Sequence, residues 1–225
     1  MIAVTVQKPR AIFSLVLLSA WLASLPTEAD AFDSQGLEDV TISFDFWGIE
    51  DVTFTDGPGC ETTAPDYARA AEQGETEAQY VLATFYAEGC GVPQDYVAAV
   101  AWYRKAAEQG QLLALADLGR MYTLGYGVPQ DYATAFRWYR KAATGGQVNA
   151  QSILGGMYRY GLGVPTDNVQ AYAWFATAAA HGYGRYAVLR KNAVAAMMTP
   201  AEIRGAEWLS RAYIQVYTVP AREAD

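Results

Sequence analysis

From Ala71 to Gly182 the apolar, small and polar positions follow a pattern that returns every 36 residues without a gap. In the first copy Ala78, Leu82, Ala83 and Tyr86 stand four, five and eight residues apart. On a helix turning about 100° per residue they fall within an arc of roughly 140°, which predicts a first helix, A. Ala99, Trp102, Tyr103 and Ala106 then recur at i, i+3, i+4 and i+7, the stripe of a second helix, B. The copies beginning at Ala107 and Ala143 keep both stripes. Ala114 and Ala150, Leu118 and Leu154, Gly119 and Gly155, and Tyr122 and Tyr158 repeat helix A. Ala135 and Ala171, Trp138 and Trp174, and Tyr139 and Phe175 repeat helix B, and Gly110, Gly146 and Gly182 close the copies.

Each helix is too short to persist alone in water, and one pair cannot cover both stripes, so the copies must stack. The predicted architecture is an α-solenoid. Small residues at Ala83, Gly119 and Gly155 would let helices approach closely, with the tryptophans filling the space beside them. Between the helices run GCGVPQD (89–95), GYGVPQD (125–131) and GLGVPTD (161–167). The first Gly suits a left-handed helix end, Pro fixes φ, and Asp95, Asp131 and Asp167 are placed to cap helix B. A phosphate loop is not expected: an anion would meet the capping Asp, and no P-loop Lys follows.

The flanks differ in pattern. Residues 66–74 read as a truncated helix B, and residues 183–217 stay helical without the GVP loop. Thr199-Pro200-Ala201-Glu202 is a capping box with Pro at N1. Behind it Ile203, Ala206, Leu209, Tyr213 and Val216 form the inner stripe of a terminal capping helix, and Glu202, Arg204, Glu207 and Arg211 its polar outer face. LEDVTISF (37–44) and IEDVTFTD (49–56) echo each other and alternate around Trp47-Gly48, the pattern of a docked hairpin or, alternatively, of a disordered acidic tail. Residues 1–31 read as a secretory signal: Lys8 and Arg10, the apolar run AIFSLVLLSAWLA, and the small-x-small site Ala29-Asp30-Ala31. The expected divisions are a signal peptide at 1–31, an acidic segment at 32–63, repeats at 64–182 (71–106, 107–142, 143–178 and a partial N-terminal copy) and a helical cap at 183–225.

The repeated pattern, A-x3-L-G-x2-Y-x2-G-x-G-V-P-x-D-Y-x2-A-x2-W-Y-x-K-A-A-x2-G, resembles the Sel1-like repeat, a relative of the tetratricopeptide repeat with a longer connector. The third copy departs in having Asn168 and Thr177 for the usual Tyr and Lys. The resemblance implies an all-α, right-handed solenoid of stacked antiparallel helix pairs, and a role in binding proteins. It also implies a bacterial origin, and it leaves open a cell-wall-active or β-lactam-binding enzyme. Cysteine-rich relatives linked to β-lactams carry a Cys pair in each repeat, which this chain lacks.

Charge sharpens this picture. The net charge of −8 is concentrated in residues 32–66, which hold nine carboxylates and no Lys or Arg. The remaining body is close to neutral, without the basic stripe that nucleic acid or anionic lipid requires. Once the signal is cleaved after Ala31, stable membrane insertion is not expected, and the location is periplasmic or secreted. Cys60 and Cys90 lie in the exported part, where thiols tend to pair. A Cys60–Cys90 disulfide is expected, the alternative being two unpaired thiols.

Candidate chemistry is sparse. His181 is the one histidine and sits where earlier copies have Gln73 and Gln109, so a polar helix-end role is expected. No serine lies in S-x-x-K or G-x-S-x-G. One His and two separated Cys make no closed zinc site, and Glu38-Asp39 and Glu50-Asp51 have no calcium-loop spacing. No cofactor, metal or catalytic residue is expected. What remains is the helix A face opposite the buried stripe, which varies between copies: Tyr80, Thr84 and Glu88; Arg120, Thr123 and Leu124; Ser152, Arg159 and Tyr160. In tetratricopeptide-like solenoids this face lines the concave groove, and Arg and Tyr are favoured at binding hot spots. The expected function is a non-catalytic adaptor that docks an acidic peptide or protein along Tyr80, Arg120, Arg159 and Tyr160. A further expectation places the acidic segment in the basic part of this groove as a regulatory arm.

Overall fold

A computed structural model describes residues 40–44, 50–54 and 60–217, with side chains from Ala64 onward. By contacts the chain divides into Met1–Glu38, outside the described residues, and Asp39–Asp225, which holds every element below. The signal-peptide reading therefore falls outside the described residues. Strands β1 (Val40–Phe44) and β2 (Glu50–Phe54) pair antiparallel, with Val40 opposite Phe54 and Phe44 opposite Glu50. Alternation of the two echoed segments is what such a ladder requires.

The helices run α1 (Cys60–Glu72), α2 (Thr76–Glu88), α3 (Tyr96–Glu108), α4 (Leu112–Leu124), α5 (Tyr132–Thr144), α6 (Val148–Tyr160), α7 (Asn168–Ala180), α8 (Gly184–Ala195) and α9 (Pro200–Val216). Pairs α2–α3, α4–α5 and α6–α7 are the A and B helices of three repeats, and α1–α2, α3–α4 and α5–α6 join neighbours into a solenoid. The core runs along the repeats as a large central cluster with a smaller one at each end, and Leu82, Leu118, Leu154, Tyr103, Tyr139 and Phe175 are sealed from solvent within it.

The connectors behave as their chemistry dictates. Gly89, Gly125 and Gly161 end their helices in the left-handed region at φ 77°, 75° and 69°. The Asp95 carboxylate accepts from the amides of Val97 and Ala98 at 2.9 and 3.0 Å. Asp131 does the same for Ala133 and Thr134, and Asp167 for Gln170. In the second and third connectors the second glycine has a further reason to be there. A Cβ on Gly127 would stand 2.2 Å from the Tyr96 carbonyl oxygen, and one on Gly163 2.2 Å from that of Tyr132. The second and third connectors therefore lie flush on the start of the preceding repeat's helix B.

Two packing expectations are corrected. The ring seated on the small helix A residue belongs to the aromatic after the tryptophan: a Cβ on Gly119 would meet the Tyr139 ring at 2.9 Å, and one on Gly155 the Phe175 ring at 2.8 Å. Adjacent positions differ by about 100° in direction, and only one of them can point straight at helix A. Trp102 and Trp138 are left half-buried at its flank. In α9, Ala206 is buried as the stripe predicts, but Val216 is 68% exposed and Ser210 is buried. The final turn is oriented by Tyr213 and Tyr217, which face α7 and rotate Val216 outward.

The C-terminal cap also departs from the pairwise rule. Helix α8 begins at Gly184, where a fourth helix A is due, yet Arg190 and Lys191 stand at the register positions of Leu154 and Gly155. A long charged side chain removes the seat on which an aromatic of a following helix B would rest. Consequently α8 buries only Ala187 and Val194, and α9 packs on α7. The capping box holds α9 at its start: the Thr199 amide donates to the Glu202 carboxylate at 2.7 Å, and the Glu202 amide to the Thr199 hydroxyl at 3.3 Å.

Candidate interaction surface

The variable helix A face is partly a packing surface. Tyr80 stacks obliquely on Tyr103, with ring centroids 5.8 Å apart, and the Thr84 hydroxyl lies 3.2 Å from that of Tyr103. Burial, reinforced by the Asp117 carboxylate, pushes both tyrosine hydroxyls above the ordinary phenol range. Both are neutral near pH 7. Arg120 donates to Asp117 at 3.2 Å, with about a quarter of its side chain exposed. The structure thus groups Tyr80 with Arg120 through Asp117, a residue the repeat pattern did not single out. Arg159 lies over the ring of exposed Tyr160, 5.3 Å from its centroid.

Ser152 is fully buried, contrary to its expected place on the open face. It lies under the Arg190 guanidinium of α8, which donates to its hydroxyl at 3.4 Å. Helix α8 therefore covers Ser152 on this face. Because α8 departs from the repeat pattern, no periodic signal in the sequence announced the contact.

The repeat junctions hold a second polar arrangement. The Gln109 amide donates to the Gln79 side-chain oxygen at 2.8 Å, and the Gln79 amide to the Ala71 carbonyl at 3.2 Å. At the last junction His181 Nδ1 lies 3.0 Å from the Gln151 side-chain oxygen, while the Gln151 amide donates to the Ala143 carbonyl. His181 thus does what Gln109 does. In the middle copy the helix A position is Leu115 and the junction position Gly145, where a Cβ would strike Leu112 at 2.4 Å. Polar pairs with polar and apolar with small, a correlation visible in the sequence once the two positions are known to touch.

Among the described residues no group of three or more His, Cys, Asp or Glu is disposed to hold a metal ion, and no helix is long and apolar enough to cross a membrane. Cys90, in the first connector, is disulfide-bonded. Cys60 opens α1, and its side chain lies outside the described residues.

Residues 76–111, 112–147 and 148–183 each match the Sel1 repeat. These frames start at helix A, five residues after the copies marked from Ala71, Ala107 and Ala143. The solved structure of a Sel1 repeat protein from Oxalobacter formigenes is 40% identical with a TM-score of 0.53, over 57% of this chain and 96% of that one. A protective antigen of uropathogenic Escherichia coli displaying an SLR fold is 32% identical with a TM-score of 0.47, over 72% of this chain. The match spans 44% of that antigen's own length. No curated protein matches the chain. By its repeats, and by its likeness along nearly the whole of the Oxalobacter protein, the chain belongs to the Sel1 repeat family, whose members are typically scaffolds for protein interaction.

Proposed function

We propose that this chain is an exported, non-catalytic adaptor that docks an acidic peptide or protein along the helix A face. The observation that carries the reading is that the helix A face holding Tyr80, Arg120, Arg159 and Tyr160 changes from copy to copy, while the positions that define the repeat do not. Arg120 is held by Asp117 and Arg159 by Tyr160, so both guanidinium groups are pre-oriented, which lowers the ordering cost of binding an anion. Replacing all four residues by alanine abolishes recovery of the cross-linked cellular partner if the reading is right. Undiminished recovery removes it. Hydrolysis of a fluorescent β-lactam or of muropeptides, traced to a nucleophile in this chain, would put an enzyme in the adaptor's place.

Export rests on residues 1–31, and the intact mass of protein from the periplasm or medium tests it: cleavage after Ala31 leaves a chain beginning at Phe32. With only two cysteines present, Cys60 is the partner proposed for Cys90. Such a bridge contributes about 3 kcal/mol through loop closure. Alkylation of both thiols in denatured, unreduced protein would refute it.

A further inference from the structure

Helices α3, α5 and α7 carry Trp102, Trp138 and Trp174 at the same repeat position. Among the three only Trp174 is buried, beneath Tyr213 at 4.6 Å and Tyr217 at 5.5 Å, four residues apart on α9. On the other two a lysine lies over the ring: Lys105 at 3.6 Å from Trp102, and Lys141 at 4.8 Å from Trp138. The repeat register puts Thr177 at the lysine position in α7, where it is buried and donates to the Ala173 carbonyl at 2.8 Å. The charge is thus absent only where the chain's own helix sits. Within α3 and α5 five exposed bases stand against one acid, Glu108, whereas α7 has no charged residue.

We infer that the Trp102–Trp138 face of α3 and α5 is a docking surface for an amphipathic, acidic helix of another protein, with aromatic residues four apart. The packing of α9 on α7 is the template. Two tyrosines at i and i+4 share one helix face and lie along one tryptophan, as an aromatic anchor in a hot spot does. At Trp102 and Trp138 an incoming aromatic must displace a lysine from the ring, and an ammonium group so displaced requires a carboxylate beside the tyrosines. The acidic requirement follows from Lys105 and Lys141, and the aromatic spacing from Tyr213 and Tyr217. This surface is distinct from the helix A face and does not depend on it.

The test uses the whole protein and a fluorescein-labelled peptide of residues 200–217 carrying Ile214→Glu and Val216→Glu, which flank the two tyrosines. Saturable binding is expected, weakening about tenfold or more in both W102A/W138A and K105E/K141E, and with added salt. Tyr213→Ala and Tyr217→Ala in the peptide remove it, and R120A/R159A leave it unchanged. The lysine variant keeps the tryptophans in place, so loss of binding there is not loss of fold; circular dichroism confirms this. No binding at about 1 mM peptide, or binding indifferent to the lysine reversals, overturns the inference. So does a cross-linker at position 138 that captures residues 32–58 of its own chain, which would make the acidic segment the occupant. Lysine-dependent binding to phosphatidylglycerol vesicles in place of the peptide would assign the face to a membrane.

Discussion

Trp138 and Trp174 occupy equivalent positions in consecutive repeats, yet one lies half-exposed under a lysine and the other is sealed beneath two tyrosines. The residues around them differ to match. Lys141 becomes Thr177 and Tyr139 becomes Phe175, while both rings after the tryptophan keep their seats on Gly119 and Gly155. The seat specifies the repeat and must recur. The tryptophan flank is adjustable, and in α7 it accepts a helix from outside the repeat pattern. A repeat array can therefore vary one side of a helix while holding the other constant, and its variable surfaces include the B helices as well as the A helices.

The sharpest way to break this comparison is truncation of both rings. Trp174→Ala is expected to cost about 3–5 kcal/mol in chemical denaturation and Trp138→Ala about 1–2 kcal/mol, since only the first empties a sealed site. Equal losses would deny the difference. Restoring the lysine is next: Thr177→Lys places an ammonium group in a fully buried position and is expected to cost about 3 kcal/mol and loosen α9. Proteolysis near residue 200 reads the second effect. Tyr213→Phe removes the hydrogen bond that the phenol donates to the Gln170 side-chain oxygen at 2.9 Å, a loss of about 1 kcal/mol. Lys141→Ala should lower stability by only about 0.5 kcal/mol while increasing quenching of Trp138 by acrylamide.

The smallest effect is one of pH and concerns the cap of α5. Hydrogen bonds from the Thr134 hydroxyl and amide, aided by the Ala133 amide, hold the Asp131 carboxyl below its ordinary value. A depressed folded-state pKa gives a stabilisation that is present above the unfolded value, about 3.9, and lost as pH falls through the folded one. The difference in melting temperature between the native chain and Asp131→Ala should accordingly persist at pH 7 and shrink below about pH 4. A constant gap would separate capping from ionisation.

Much of the fold was legible because local chemistry and the 36-residue period agree. The αL glycines, the aspartate caps and the capping box at Thr199 are short-range features whose partners lie within a few residues, so the chain displays them without folding. The assignment of the tryptophans was not legible, since Trp102 and Tyr103 share one apolar stripe and neither spacing nor hydrophobicity tells which ring enters and which stays at the flank. Of the candidate surface, Tyr80, Arg120, Arg159 and Tyr160 were visible as variation between copies. Asp117 and the burial of Ser152 beneath Arg190 were not, because both arise where one helix meets another across dozens of residues.

Periodicity, helix ends and connector chemistry were settled by the order of residues, because each depends on neighbours a few positions away and on a repeat that copies its own solution. The path of α9 was settled only in three dimensions. Arg190 and Lys191 deny α8 a seat for a following helix B, and Trp174 offers the last helix a place to pack its tyrosines. Burial is a property of the assembled chain, and the competition between those two seats exists only once α7 and α8 stand side by side.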